Sequence, residues 1–298
     1  MAEPASVLVV GGTHGNELTG VKLLARLRNH PQELARRTFT ADTLLANEAA
    51  IARNCRYLEQ DLNRCFSNPL LNQAPENLEQ ARAQELNRQF GPKGADSRTD
   101  WIIDLHTTTA NMGVTLVVQQ HDPLALDMAL YIQQQMPESV IFYEDNSPGS
   151  DPFLCSIGRH GLLIEVGPVA QGLLRWEVFE QTRLALSHAL DFIDLEASGE
   201  LSLPTPREAE VYQFIEKLHL PVDDEGEICG MIHPDLQDRD YHQLAPGEPI
   251  FILTTGETVP FDYPEAVHVA FVNEAAYYDQ AHGLSLMRRR TLSWEANA

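Results

Sequence analysis

The chain has 298 residues, 43% of them hydrophobic and 21% charged, so it can bury one large core and a smaller one and is not expected to be disordered. Its 43 acidic and 21 basic residues give a formal net charge of −22. A surface this negative repels phosphate backbones and anionic lipid heads, which argues against nucleic-acid and membrane partners.

Cysteine usage and the N-terminus indicate a cytoplasmic protein. The four cysteines, at positions 55, 65, 155 and 229, form no CxxC pair, which favours a reducing compartment. The N-terminal MAEPASVLVVGG lacks a basic region and a long apolar region, so no signal peptide is predicted. No apolar run approaches the roughly 18 residues of a membrane span.

Residues 1–200 alternate between buried strands and amphipathic helices, a pattern typical of an α/β fold. Residues 54–69 are polar and weakly periodic, which predicts a loop. The predicted strands are 6–10, one within 38–47, 101–105, 113–119, 139–143 and 162–166, and the predicted helices are 18–27, 76–90, 122–135 and 176–195.

Beyond a linker at 198–207, which contains Gly, Pro and Ser, the pattern changes. Short β-like runs alternate with turns, among them EVYQFIE, EICGMIH, PIFILTT and AVHVAFV. Residues 201–298 are therefore predicted to form a smaller β-rich domain.

His14 and Glu17 follow the first predicted strand, in GGTHGNELTG. Ligands bind beyond the carboxyl ends of strands in open α/β sheets, and zinc accepts imidazole nitrogen and carboxylate oxygen. The spacing H-x-x-E is common, however, and taken alone it does not establish a metal site. A phosphate cradle is the other interpretation, but neither G-x-G-x-x-G nor G-K-[ST] is present.

A second histidine, His106, ends the predicted strand WIIDL, and Asp104 lies two residues earlier on the same face. One histidine at a strand end is usually a structural, hydrogen-bonded residue. A second strand-end histidine, added to His14 and Glu17, completes the His₂Glu set of a zinc hydrolase, and Asp104 can orient its ring.

Glu165 lies within the apolar strand LLIEV. Burial of an unpaired carboxylate is costly and raises its pKa, which suits a general base beside a metal site. The alternative is an edge-strand glutamate that faces solvent, and the flanking apolar residues argue against it.

Arg56, Asn63 and Arg64 lie in the polar stretch, where a guanidinium and an amide could clamp a substrate carboxylate. From the sequence alone, a solvated loop with surface arginines is the more common interpretation of this stretch.

Several long motifs in order give the chain a close resemblance to the aspartoacylase family of zinc carboxypeptidase-like amidohydrolases, over nearly its whole length. These motifs are GGTHGNELTGV, RY with DLNR, DLHTTTANMG, IEVGP, HPDLQDRD and FVNEAAYY. The resemblance implies an α/β fold with a zinc-carboxypeptidase-like mixed sheet flanked by helices. It also implies that 1–200 form the catalytic domain, that 201–298 cover the mouth of the active site, and that the protein is a homodimer.

The resemblance further implies site roles. One Zn²⁺ per subunit would be held by His14, Glu17 and His106, and Glu165 would be the general base for a zinc-activated water. Arg56 would polarise the scissile carbonyl, Asn63 and Arg64 would hold the substrate carboxylate, and Tyr277 would reach over from the C-terminal domain. The same ligands accept other divalent ions.

The expected reaction is deacylation of a small anionic N-acyl amino acid, first of all N-acetyl-aspartate to acetate and aspartate. One departure weakens that specificity, because Asp151 and Cys155 stand where a tyrosine and an arginine are expected; Arg159 could replace the arginine. The alternatives are an aminoacylase for N-acyl aromatic or neutral amino acids, a non-catalytic binder of acyl amino acids, and a zinc carboxypeptidase acting on peptides.

Overall fold

The computed structural model describes residues 5–119, 122–144 and 149–295. The first part of the chain contains β1 (Val7–Gly11), α1 (Leu18–Asn29), β2 (Asp42–Leu45), α2 (Glu48–Arg53), α3 (Asn68–Asn72), α4 (Leu78–Phe90), β3 (Trp101–Thr107), β4 (Gly113–Gln119), α5 (Pro123–Gln135), β5 (Val140–Glu144), β6 (His160–Gly167) and α6 (Trp176–Ala197). The second part contains β7 (Arg207–His219), β8 (Gly230–Ile232), β9 (Gln243–Leu244), β10 (Pro249–Leu253), β11 (Thr258–Pro260), β12 (Val267–Ala270) and β13 (His282–Trp294).

A ten-stranded mixed sheet forms the centre of the molecule, in the order β2-β1-β3-β6-β4-β5-β7-β13-β12-β9. Strands β1 and β3 are buried along their whole length, because helices α1, α5 and α6 cover one face of the sheet and α4 with neighbouring loops covers the other. Burial on both faces explains why these strands are continuously apolar rather than alternating. The predicted α/β class is confirmed.

Strand register determines where the polar side chains meet. Strands β1, β3 and β6 run parallel, so their carboxyl ends lie at one edge of the sheet. The register of β3 with β6 places His106 beside Glu165, and antiparallel β4 places Thr115 on the other side of Glu165. Two of the residues singled out in the sequence are therefore direct neighbours across the sheet.

The C-terminal part is rich in strands, as predicted, but the large sheet runs into it without a break. Strand β7 pairs in parallel with β5 and antiparallel with β13 along nearly its whole length. A small separate sheet, β11-β10-β8, packs around its own apolar cluster with β9, β12 and part of β13.

Strand β13 and helix α3 were not predicted. The first six residues of β13 are buried and the next four are exposed, so the strand shows no period-two alternation. The predicted loop at 54–69 contains the start of α3 and a short 3₁₀ turn, Leu62–Arg64, which is too brief to give a periodic pattern. Over the described ranges, no helix combines the length and the apolar character that a membrane crossing requires.

Candidate metal centre and active site

Three side chains predicted as metal ligands converge at the sheet edge. His14 Nδ1 lies 2.6 Å from Glu17 Oε1, His106 Nδ1 lies 3.0 Å from Glu17 Oε2, and the two Nδ1 atoms are 3.1 Å apart. One donor atom from each residue falls within 4.8 Å of the others, and all three residues are buried. Within the described ranges, no other such group of histidine, cysteine and acidic residues occurs.

The turn after β1 delivers two of these ligands because its glycines allow tight backbone packing. Gly12 has a φ of +70°, a conformation that glycine adopts without strain. A Cβ atom at Gly15 would lie 2.2 Å from the backbone of Ala50, so a larger residue would push the turn away from α2. The Gly15 N–H donates to the Arg56 carbonyl at 3.1 Å, which ties the turn to the polar loop.

A carboxylate stands behind each imidazole. Asp61 Oδ1 lies 2.9 Å from His14 Nε2, and Asp104 Oδ2 lies 2.9 Å from His106 Nε2. Asp104 also accepts a hydrogen bond from the Thr13 hydroxyl at 2.8 Å. Outer carboxylates of this kind fix the ring orientation and tautomer of metal-binding histidines, which leaves both Nδ1 atoms directed at a common point. The donor set and its support fit a divalent metal ion.

The charges of the cluster stabilise one another. Burial raises the pKa of Glu17, but His14 and His106 outweigh it and hold that pKa well below its usual range. Burial lowers the pKa of His106, but Asp104 and Glu17 outweigh it and raise that pKa well above its usual range. These opposite shifts indicate that Glu17 and His106 favour each other's charged forms.

Arg56 is held by two carboxylates beside the cluster. Its Nη1 donates to Glu17 Oε1 and its Nη2 to Asp61 Oδ2, both at 3.1 Å. Burial acts to lower the pKa of Arg56, but Asp61 and Glu17 outweigh it and raise that pKa. The guanidinium therefore stays charged and fixed in a buried position next to the predicted metal ligands.

Glu165 is 9% exposed and lines the same cavity. Its carboxylate accepts no hydrogen bond from any residue that the structure describes. Burial and the nearby charge of Glu17 raise the pKa of Glu165 to about 8, against the attraction of His106. Such a carboxylate can hold and release a proton near neutral pH, and a bound cation would lower this raised pKa toward its ordinary value.

The cavity has a polar corner and an apolar wall. Asn63 and Arg64 line the corner, and the Arg64 guanidinium carbon lies 5.1 Å from the centre of the Phe153 ring. Arg64 forms no ion pair with the described residues. The apolar lining consists of Val117, Phe142, Phe153, Leu163 and Phe271.

Tyr277 enters the cavity from the 3₁₀ turn Ala275–Gln280, and its ring stacks on His282 with centroids 4.9 Å apart. Burial raises the pKa of Tyr277 to about 12, although Arg64 and Arg56 oppose the shift. The cavity therefore includes a neutral phenol from the C-terminal part of the chain.

Glu274 fixes that turn onto the segment that follows His106. Its Oε2 accepts hydrogen bonds from the Thr108 hydroxyl, from the Thr109 N–H at 2.7 Å and from the Thr109 hydroxyl at 3.0 Å. Its Oε1 accepts from the Ala276 N–H at 2.9 Å. Glu274 lies in FVNEAAYY and Asp61 in DLNR, but no role was predicted for either, because partners so distant in sequence cannot be paired from one chain.

The residues discussed for side-chain specificity lie away from the cavity. Asp151 and Cys155 are buried in the protein interior and do not line it, whereas Phe153 between them does. Arg159 precedes β6 and donates to Asp100 Oδ1 at 2.7 Å. At about 3.3 Å per residue, the strand separates Arg159 from Glu165 by roughly 16–20 Å. The suggestion that Arg159 replaces the expected arginine is therefore wrong, because it lies at the opposite end of the strand.

Two family models match successive parts of the chain. A family model for the "Succinylglutamate desuccinylase/Aspartoacylase catalytic domain" matches residues 4–193, and one for the "AstE/AspA barrel-sandwich hybrid domain" matches residues 207–289. A "Probable aspartoacylase" from Trichodesmium erythraeum is 39% identical over 285 residues, which covers 95% of this chain and 97% of the relative.

Two murine matches point the same way. The mouse "N-acyl-aromatic-L-amino acid amidohydrolase (carboxylate-forming)" is 41% identical over 281 residues, which covers 92% of this chain and 87% of the relative. The crystal structure of murine aminoacylase 3 aligns with a TM-score of 0.94 at 37% identity, covering 100% of this chain and 99% of that one.

The fold and the cluster thus define an α/β protein with a candidate metal centre at its sheet edge. The chain belongs to the succinylglutamate desuccinylase/aspartoacylase family. The family resemblance in the sequence is confirmed, whereas the individual site roles stay predictions.

The raised pKa of Glu165 predicts a pH-dependent stability difference in the metal-free protein. Between its ordinary value of 4.5 and its folded value of about 8, the folded chain keeps a proton that the unfolded chain has lost. Stability therefore falls as pH rises through this window, and Glu165→Gln removes that component. The free energy of unfolding is measured with denaturant, in the presence of a chelator that keeps the protein free of metal. As pH rises through the window, the variant should become more stable relative to wild type.

The control is Glu257→Gln, in an exposed turn. Its stability difference from wild type should not change across the same window. A Glu165→Gln difference that is equally flat would contradict the raised pKa.

Proposed function

We propose that the protein is a zinc-dependent amidohydrolase that removes the acyl group from an N-acyl amino acid. The proposal rests on one observation: a single cavity brings the candidate metal ligands together with a candidate base and a cation. The cavity is lined by the three predicted ligands, by the buried Glu165 and by Arg56, which two carboxylates hold in place. The ligands are His14, Glu17 and His106. The names of the murine and cyanobacterial relatives support the reaction class.

His14, Glu17 and His106 would hold one Zn²⁺ per subunit, because two imidazole nitrogens and one carboxylate are the donor set of catalytic zinc sites with an open position. When bound, the metal supplies a Lewis acid and lowers the pKa of a water molecule. Asp61, hydrogen-bonded to His14, would hold that ring in orientation, and Asp104 lies behind the ring of His106.

Side chains of the protein would carry out the proton transfers and stabilise the charge that develops on the substrate. Glu165 takes a proton from the attacking water as the water oxygen bonds to the amide carbon, and later gives that proton to the leaving nitrogen as the C–N bond breaks. The Arg56 guanidinium donates to the oxygen that gains negative charge at the carbonyl. The products are a carboxylate and a free amino acid.

Asn63 and Arg64 would hold the α-carboxylate of the substrate. Arg64 has no carboxylate partner among the described residues, so its guanidinium is available for a bidentate contact. Tyr277 would close the site from the C-terminal part, in keeping with a catalytic domain at 1–200 and a covering domain at 201–298. A homodimer and a cytoplasmic location stay predictions.

The substrate side chain is proposed to be aromatic or otherwise apolar. Phe142, Phe153 and Phe271 give the cavity an apolar wall, and Arg159 is too distant to neutralise an aspartate side chain. N-acetyl-aspartate, the first expectation from the sequence, is the second candidate. Lys217 favours it, since the ammonium of this exposed residue lies 5.6 Å from the centre of the Tyr277 ring.

A substrate panel distinguishes these candidates. For zinc-loaded protein, kcat/KM on N-acetyl-phenylalanine should exceed that on N-acetyl-aspartate by more than about tenfold, because a pocket discriminates through the contacts that a side chain makes or lacks. N-acetyl-leucine and a dipeptide complete the panel. A preference for aspartate would instead support the second candidate, and turnover of no substrate would support a non-catalytic binder.

Glu165→Gln should lower kcat by about 10²–10⁴-fold, because the amide cannot accept the proton of the attacking water. Zinc content, measured by mass spectrometry of the native protein, should equal that of wild type. Turnover close to wild type would reject the general-base role even if the reaction class is right.

Asp61→Asn should weaken zinc binding by about 10–100-fold, because the amide no longer supports the His14 ring as a charged acceptor. Competition with a chromophoric chelator measures the affinity. Asp42→Asn, at an exposed position on β2, is the matched control. Equal zinc affinity in both variants would contradict the role of Asp61.

A further inference from the structure

We propose that Lys93 is a positioning residue for side-chain specificity, which holds the Phe153 wall against the Arg64 corner of the cavity. The inference rests on the proposed function, because it concerns which N-acyl amino acids the site accepts. Lys93 itself does not line the cavity.

The Lys93 ammonium joins two separate segments of the chain. Its Nζ donates to the Phe66 carbonyl at 3.0 Å, to the Asp151 carbonyl, and to the Ser156 hydroxyl at 2.6 Å. An ammonium has three donors, so these contacts use its full capacity. Lys93 therefore acts as a three-way link, with one contact on the segment that carries Arg64 and two on the segment that carries Phe153.

The link reaches Phe153 through the hydroxyl of Ser156. The Ser156 hydroxyl that accepts from Lys93 donates to the Phe153 carbonyl at 2.6 Å. Two further hydrogen bonds join the same two segments directly. Asn63 Oδ1 accepts from the Leu154 N–H at 2.8 Å, and the Phe66 N–H donates to the Pro152 carbonyl at 3.1 Å. Together these bonds set the 5.1 Å separation of the Arg64 guanidinium from the Phe153 ring.

General stability does not explain a lysine at this position. Burial lowers the pKa of Lys93 against the opposing attraction of Asp151, which shows that the ammonium is poorly solvated. Burial of a charge is weak evidence for stability, because apolar residues of similar size often serve as well. The distinctive property of Lys93 is the geometry of its three bonds, which an apolar residue cannot reproduce.

The position of Phe153 relative to Arg64 should affect substrates with and without an aromatic side chain differently. With the α-carboxylate on Arg64, an aromatic side chain would contact Phe153, whereas N-acetyl-glycine has no side chain to do so. A displacement of Phe153 relative to Arg64 would therefore affect the aromatic substrate selectively, and misplacements of about 1 Å can cost up to 10²-fold in rate.

The test compares kcat/KM for N-acetyl-phenylalanine with that for N-acetyl-glycine in zinc-loaded enzyme. Lys93→Met should lower this ratio by about tenfold, with zinc content unchanged. Ser156→Ala, which removes one of the three acceptors, should lower the ratio less. Lys22→Met, at an exposed position on α1, is the matched control and should leave the ratio at the wild-type value.

A double-mutant cycle with Phe153→Ala tests whether Lys93 changes the kcat/KM ratio through Phe153. Phe153→Ala should lower the ratio by itself, and Lys93→Met should lower it no further in that background, because its effect passes through Phe153 and coupled residues are not additive. A structural role alone would reduce the activity on both substrates equally and leave the ratio unchanged.

The results distinguish failure of this inference from failure of the proposed function. An unchanged ratio in both Lys93→Met and Ser156→Ala, or full additivity with Phe153→Ala, overturns the inference while the proposed function stands. If Lys93→Met does not fold, the ratio in Ser156→Ala decides. Wild-type enzyme that cleaves neither substrate overturns the proposed function, and the inference with it.

Discussion

The buried carboxylate of Glu17 is the interaction on which the rest of the site depends. It contacts both imidazoles, and it also accepts from the Thr107 N–H at 3.0 Å and from Arg56. An isolated charge in this position would be strongly disfavoured, and paired cations with several hydrogen bonds offset that cost. Because the bonds come from the turn after β1, the end of β3 and the polar loop, one side chain joins three segments at the sheet edge. Loss of Glu17 would remove the one contact that the two imidazoles and Arg56 share, and would leave each of them with only its outer carboxylate.

The same arrangement explains how the C-terminal part of the chain contributes to a site built on the N-terminal part. Strand β7 continues the large sheet from β5, and β13 returns along β7, so strands of the C-terminal part extend the same sheet that carries His106 and Glu165. Glu274 then fastens the following turn to the residues after His106. A buried carboxylate with several donors fixes its neighbours more rigidly than apolar packing alone, since its hydrogen bonds are directional. The position of Tyr277 thus depends on the backbone that also holds a predicted metal ligand.

Much of the fold and part of the candidate site could be predicted from the sequence. The elements and residues that were predicted leave a local sequence pattern, and those that were missed do not. Strands such as β1 and β3 are buried on both faces, so their apolar runs are visible in the sequence, and His14 and His106 stand at their ends. The strand β13 has a buried half and an exposed half, which hides its period. Asp61 and Glu274 act through contacts with residues far away in sequence, so their roles emerge only when the sheet brings the segments together. The apolar wall was missed because Phe153 faces the cavity while its neighbours Asp151 and Cys155 point into the interior, and sequence spacing alone does not reveal that orientation.

The net charge of −22 poses a problem that the site geometry answers. An anionic acyl amino acid must enter against the field of the whole surface, so the cavity needs local positive charge. Arg56 contributes little, because Glu17 and Asp61 already neutralise it. Arg64 and Lys217 form no ion pair within the described ranges. Burial and then the charge of Arg64 lower the pKa of Lys217, against the attraction of Glu144 and Asp61. A carboxylate bound beside Arg64 would meet a guanidinium that no described carboxylate already pairs, so the local charge favours the position proposed for the α-carboxylate.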